Sequence, residues 1–352
     1  MQNIKIKHKI IGANQPVFIV AEMGVNHNGN IALAKKMIEV IKKCGADAVK
    51  MQSIVAEEFI SDKDAKYTYK SQGKEITETQ YKMFKRYELS KKTQKELFAF
   101  AKKQNIILFS TPIDNTFEMV DYLVDELKMP AIKVSSGDLT NLPLLSYYAQ
   151  KKKPMIISTG MATIDEIEDA VQTIEEQGNQ EIVILKCVSL YPTPVHESNL
   201  NQIKTIQLAF GKVTGYSDHT SGTTAAVVAT VLGARVIEKH FTLDKKMAGP
   251  DHWFSADPAE LKLLVKQVRG AEKMLGNSRL ILSIAEQKMK ILARRSIFAK
   301  NNIRKGALIK KDDLELGRPG NGIPPKYIPF IIGRTAKQDI KKGEKIGLER
   351  LV

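Results

Sequence analysis

Residues 213–240, VTGYSDHTSGTTAAVVATVLGARVIEKH, open and close on short apolar runs, VTGYSDH and VIEKH, that each end in a histidine. His219 and His240 stand 21 residues apart, which matches one strand–helix–strand step. The two runs therefore read as buried parallel strands joined by a crossover helix. Neighbouring strands would then deliver both imidazoles to the same end of one sheet. Two imidazoles side by side suggest a divalent metal; taken singly, each also reads as a histidine hydrogen-bonded at a strand end.

Six further runs of the same kind lie upstream: VFIVAE (17–22), AVKMQ (48–52), IILFST (106–111), AIKVSS (131–136), MIIST (155–159) and IVILKC (182–187). Helix-like segments separate them, among them NIALAKKMIEVIKKC and TIDEIEDAVQTIEEQ, the second opening on a Thr cap with Asp and Glu in its first turn. Eight strands alternating with helices predict a (β/α)8 TIM barrel. The alternative, a doubly wound sheet, lacks support, because no GxGxxG follows the first strand and no GxxxxGK[ST] loop occurs.

In such a barrel the strand carboxyl ends converge on one mouth. Read in order, those ends carry Glu22, Lys50 and Gln52, Ser110 and Thr111, Lys133 and Ser136, Ser158, Lys186 and Ser189, Ser217 and His219, Glu238 and His240. A purely structural barrel has no need of so many polar ends. Hydroxyls and lysines suit a phosphate or carboxylate, and the histidine pair suits a metal.

After the last strand, a loop carrying Asp251 and His252 enters a helix through SADPAEL, with Pro258 near its first turn. The reading is a catalytic barrel over 1–275, a helical linker over 276–293, and a small β-rich domain over 294–352. That last part contains an internal repeat, IRKGALIKKDDL (303–314) and IKKGEKIGLERL (340–351), which implies pseudo-symmetry. It is too small to build a deep pocket and is expected to lid, bind or dimerise.

The 352 residues suffice for one large and one small domain. The formal net charge is +15. Residues 294–352 carry 15 Lys and Arg against 6 Asp and Glu. No basic segment is interleaved with aromatics, so a solvated lysine-rich surface is the reading, with no nucleic-acid partner. Two cysteines, Cys44 and Cys187, give no disulfide framework. The first 25 residues hold only the short apolar run VFIVA, so neither a signal peptide nor a membrane partner is expected, and a cytoplasmic location follows as the expectation.

FIVAEMGVNHNG, GADAVKMQ, STP, IKVSSGDLTNLPLL, ISTGMA, CVSLYPTP, GYSDHT, GARVIEKHFT and GPDHWFSADP, in this order, resemble the successive signatures of the sialic acid (N-acetylneuraminate) synthase family. The last 59 residues, with GRPGNGI, resemble the antifreeze-like domain, of β-clip type, attached to it. The resemblance implies a transferase that condenses phosphoenolpyruvate with an N-acetylmannosamine-type sugar to give a nine-carbon acid, N-acetylneuraminate or legionaminate, and phosphate. It implies Mn2+, with Mg2+ or Co2+ as alternatives, held by His219 and His240. Phosphoenolpyruvate would be held by Lys50, Lys133, Ser136, Ser158, Ser189 and Ser217. The sugar would meet Glu22, Gln52, Tyr191 and Asp251, and Arg318 of GRPG would reach across from a partner subunit in a domain-swapped homodimer. Two positions depart from the family. Asp138 stands where Glu is usual, one methylene shorter in a proton-handling position, and Ser189 often has Asn in its place. The signatures resemble the neuraminate and legionaminate branches more than the pseudaminate branch. The rival enzyme reading is a Schiff-base pyruvate aldolase using Lys50, Lys133, Lys186 or Lys239.

Overall fold

The computed structural model describes residues 2–352. They form two compact units, one running to Gly276 and the other from Asn277 to Val352.

In the first unit eight parallel strands close a barrel in sequence order: β1 (Phe18–Gly24), β2 (Ala48–Ile54), β3 (Ile107–Ile113), β4 (Ile132–Val134), β5 (Met155–Ser158), β6 (Ile182–Cys187), β7 (Val213–Asp218) and β8 (Val236–His240). The expected barrel is present. β4 is shorter than the run AIKVSS suggested, because the chain turns into a 3-10 helix at Ser136–Asp138. Strand residues such as Ile19, Val49, Ile157 and Val183 are fully buried, and each such side chain contributes about 1.5–3 kcal/mol on removal from water.

The surrounding helices start where their caps dictate. Asn30 caps Ile31–Cys44, Thr163 and Glu166 form a capping box at the start of Ile164–Glu176, and Asp257 and Glu260 do the same for Pro258–Leu275. A hairpin, Ile4–Ile6 with Lys9–Ile11, adds Ile6 and Ile11 to the barrel core. A second hairpin, Lys66–Ser71 with Lys74–Thr79, and the helix Gln80–Tyr87 stand between β2 and β3. No helix among the described residues is long and apolar enough to cross a membrane.

The second unit contains the helix Ile284–Ala293, which buries none of its side chains, and the antiparallel pair Ser296–Ala299 with Leu314–Gly317. The repeat forms its centre. Ile303 and Ile340 exchange reciprocal backbone hydrogen bonds, each 2.8 Å. Ile309 and the equivalent Ile346 are both buried in one cluster. Gly306 and Gly343 both have φ +81, a left-handed turn that a side chain would strain.

Candidate active site

Strand register places the functional side chains in two rows. Cys187 pairs with Ser217, and Ser217 with Glu238, across β6, β7 and β8. One level higher, His240 pairs with Glu22, and Glu22 with Lys50, across β8, β1 and β2. Paired positions share a face and successive residues alternate, so both rows line the barrel interior. The pairing of Asp218 with Lys239 sets His219 beside His240 at the next step, and their ring centroids are 5.3 Å apart.

The interior holds an interlocked charge set. Lys50 is paired with Glu22, lies 3.6 Å from Glu238 Oε1 and reaches Thr111 Oγ1 at 3.4 Å. Ser217 donates to Glu238 Oε1 at 3.0 Å. Lys133 donates to Ser158 Oγ at 2.6 Å and to the Val134 carbonyl at 2.7 Å. Burial pushes the Glu22 carboxyl up against the pull of Lys50. Burial acts on Glu238 too, but Lys50, Lys133 and the Ser217 hydroxyl outweigh it and hold that carboxyl low. Burial pulls Lys133 down. Two carboxyls pushed in opposite directions within one site offer one group able to carry a proton and one that stays charged.

The histidines fit a metal. His219 Nδ1 lies 2.8 Å from the Val188 carbonyl and donates there, which leaves Nε2 as the nitrogen for an ion. Burial works to lower its pKa, but Cys187 and that carbonyl outweigh burial and raise it, so an ion bound there would displace a proton. His240 Nδ1 is buried without a hydrogen-bond partner, 3.6 Å from Asp251 Oδ2. Burial, then the neighbouring His219 and Lys50, keep His240 well below its ordinary pKa and therefore neutral. No group of three or more His, Cys, Asp or Glu side chains among the described residues is set to hold an ion. The donor set is two imidazole nitrogens, which suits a first-row divalent ion completed by water or substrate oxygens.

Beside the histidines opens a cavity of about 320 Å3 lined by Gln52, Tyr67, Met83, Phe84, Tyr191, His240 and Asp251. Burial lifts Asp251 to about 6. The Tyr191 ring lies against the His219 ring, centroids 4.2 Å apart and planes tilted by 35°. Ser136 accepts from the Gly160 backbone at 3.0 Å, and a Cβ on Gly160 would collide with both Ser136 and Ser189. Asp138 takes a 2.6 Å hydrogen bond from Ser135. Arg318 is exposed in the second unit.

Three expectations from the strand ends require correction. Lys239 does not face the mouth: it lies on the outer side of β8, 2.9 Å from Asp218 Oδ2, and also donates to the Thr220 carbonyl. Lys186 also points outward, because Cys187 takes the inward position, and Ser110 turns away to Ser53 at 2.7 Å. Cys187, given no role from sequence, lies 3.9 Å from His219 Nδ1. The hairpin that supplies Tyr67 was missed, although Gln72 and Gly73, both at positive φ, carry the two-residue turn signal.

The NeuB family model matches residues 37–279, and the SAF domain model matches residues 294–352. An uncharacterised protein of Methanocaldococcus jannaschii is 46% identical over 98% of both chains. The N,N'-diacetyllegionaminic acid synthase of Campylobacter jejuni is 43% identical over 93% of this chain and 98% of its own. The crystal structure of the N-acetylneuraminic acid synthetase of Leptospira borgpetersenii, in complex with citrate, superposes with a TM-score of 0.73 at 34% identity, covering 82% of this chain and 95% of that one. With a matching model over most of the barrel and relatives aligned from end to end, the chain belongs to the NeuB family and carries its SAF, or antifreeze-like, domain at the C-terminus.

Proposed function

We propose that the chain condenses phosphoenolpyruvate with an N-acylated amino sugar to give a nine-carbon 2-keto acid and phosphate. The observation that carries this reading is the convergence, at one barrel mouth, of two buried lysines, four serines and a neutral histidine next to a sugar-sized cavity.

Lys133, Ser158, Ser136, Ser189, Ser217 and Lys50 hold the phosphate and carboxylate of phosphoenolpyruvate. The Ser189 hydroxyl, buried without a partner, is available for such a contact. The sugar sits among Gln52, Tyr191 and Asp251, where the Tyr191 ring lies against His219. The C3 carbon of phosphoenolpyruvate forms a bond to the sugar aldehyde carbon. Water adds at C2, and the C2–O bond to phosphate breaks, leaving the ketone. Glu22 supplies the proton that the sugar oxygen takes up, as its raised pKa suits. Glu238 stays ionised, holding Lys50 and Ser217 in place. Asp138 keeps the carboxylate of the proton-handling position next to Ser135. A divalent ion, manganese as the resemblance implies, would be held by His219 and His240 and would supply Lewis-acid polarisation of the aldehyde oxygen.

The sugar cavity is apolar on its Met83 and Phe84 side, which suits a diacylated deoxy-sugar of the legionaminate type over a more hydroxylated one. Exposed apolar side chains at Leu280, Ile281, Ile284, Met289 and Leu292 offer a surface for a second subunit. In that homodimer, the exposed Arg318 serves the partner's sugar site. The test is turnover with phosphoenolpyruvate and manganese of N-acetylmannosamine and of the legionaminate and pseudaminate acceptors. Release of phosphate dependent on one of the first two sugars supports the reading; release with none of the three refutes it.

A further inference from the structure

Between the ends of β5 and β6 and the first turns of the helices Ile164–Glu176 and Gln202–Phe210 lies a second cavity of about 460 Å3. Its inner wall holds Lys186, which is 6% exposed. The ammonium has one protein partner, the Cys187 carbonyl at 2.9 Å, and no carboxylate within 4 Å among the described residues. A buried cation without a counter-charge is costly, and the active site described above makes no use of it. The same wall presents Ser189, whose buried hydroxyl has no partner. Asn199, Gln202 and Thr205 add side chains able to donate, and Glu197 is the one acidic residue of the lining. Burial also pulls the Lys186 ammonium below its ordinary pKa, and an anion in the cavity would push it back up.

We propose that this cavity is a second anion site, built for a phosphate group, with Lys186 as its cation and Ser189 as a hydroxyl donor. A phosphate accepts more hydrogen bonds than a carboxylate and so uses more of these donors. Ser189 stands between the two sites. On the reading given under Proposed function, it also contacts phosphoenolpyruvate, so phosphate held by Lys186 draws the hydroxyl away from the mouth and weakens phosphoenolpyruvate binding. The site thus couples a phosphate ligand to the reaction that releases one.

The test is calorimetric titration of the full-length protein with inorganic phosphate, and separately with glycerol 3-phosphate, to distinguish free phosphate from a small ester. Wild type should bind one phosphate group more than Lys186→Met, and Glu197→Gln should tighten that extra site by removing the acidic neighbour. Lys186→Met should leave the KM for phosphoenolpyruvate within about twofold in phosphate-free buffer, while inhibition by added phosphate weakens. Equal stoichiometry in wild type and Lys186→Met overturns the proposal. Should Lys186→Met not fold, Glu197→Gln decides: unchanged phosphate binding in that variant overturns it. These titrations need no turnover, so a failure of the proposed reaction shows separately as absent phosphate release.

Discussion

Lys133 and Lys50 are both buried at the same mouth, yet replacing each with methionine should change stability in opposite ways. Lys133 is 2% exposed and has no ion-pair partner within 4 Å; its contacts are one hydroxyl and one carbonyl. Methionine removes a buried, uncompensated charge and keeps most of the volume. The hydrogen bonds lost offset part of that gain, so the unliganded protein should stay within about 1 kcal/mol of wild type or rise above it. Binding should suffer instead. A hydrogen bond to a charged group is worth about 1.5–3 kcal/mol, or roughly 10- to 150-fold in the dissociation constant. At a phosphoenolpyruvate concentration about 100 times the wild-type dissociation constant, ligand stabilisation of about 2.7 kcal/mol should fall to about 1.4 kcal/mol or less. Lys50 differs because it separates Glu22 and Glu238. Lys50→Met leaves Glu22 holding its proton and Glu238 buried beside it without its nearest cation, and should destabilise by about 3–5 kcal/mol, a fall in Tm of about 6 °C or more. Differential scanning fluorimetry with and without phosphoenolpyruvate reads both effects. A Lys133→Met protein with wild-type ligand stabilisation, or one that melts as early as Lys50→Met, would refute the reasoning.

The other predictions concern the metal, the outer wall and the second unit. His219→Ala and His240→Ala should each abolish manganese binding by the chelator-treated protein in calorimetry; retained one-to-one binding in either rules out the two-imidazole donor set. Lys239→Met strands Asp218, which is fully buried, and should lower stability by about 3–5 kcal/mol; unchanged thermal melting would contradict the ion pair between the two histidine strands. Gly306→Ala and Gly343→Ala, at equal φ, should each cost about 1–2 kcal/mol, and a loss at only one of them would break the pseudo-symmetry. Mixed dimers of Arg318→Ala and His240→Ala subunits should recover part of the activity, since both defects then fall in one site; no recovery despite proven subunit exchange excludes a shared site.

The barrel was legible because buried parallel strands leave continuous apolar runs such as IVILKC, and each run was found within a few residues. The histidine pair was legible for the same reason: a 21-residue step on adjacent strands preserves register, as Ser217 opposite Glu238 demonstrates. Facing was not legible at every strand end. Alternation sends Lys239 outward although it precedes His240 directly, and a run that is apolar on both faces gives no sign of which side a lysine takes. Cys187 was given no role because its meeting with His219 depends on pairing between β6 and β7. The hairpin Lys66–Thr79 was missed because it is mostly exposed and lacks an apolar face to set its period.

The central claim, condensation with C–O cleavage of phosphoenolpyruvate, is tested most directly by turnover of phosphoenolpyruvate labelled with heavy oxygen at the bridging position, in the presence of the acceptor sugar and manganese. The account predicts that phosphate is released only with the sugar present and carries the label, while the nine-carbon acid takes its C2 oxygen from water. Unlabelled phosphate, or release independent of the sugar, would contradict it.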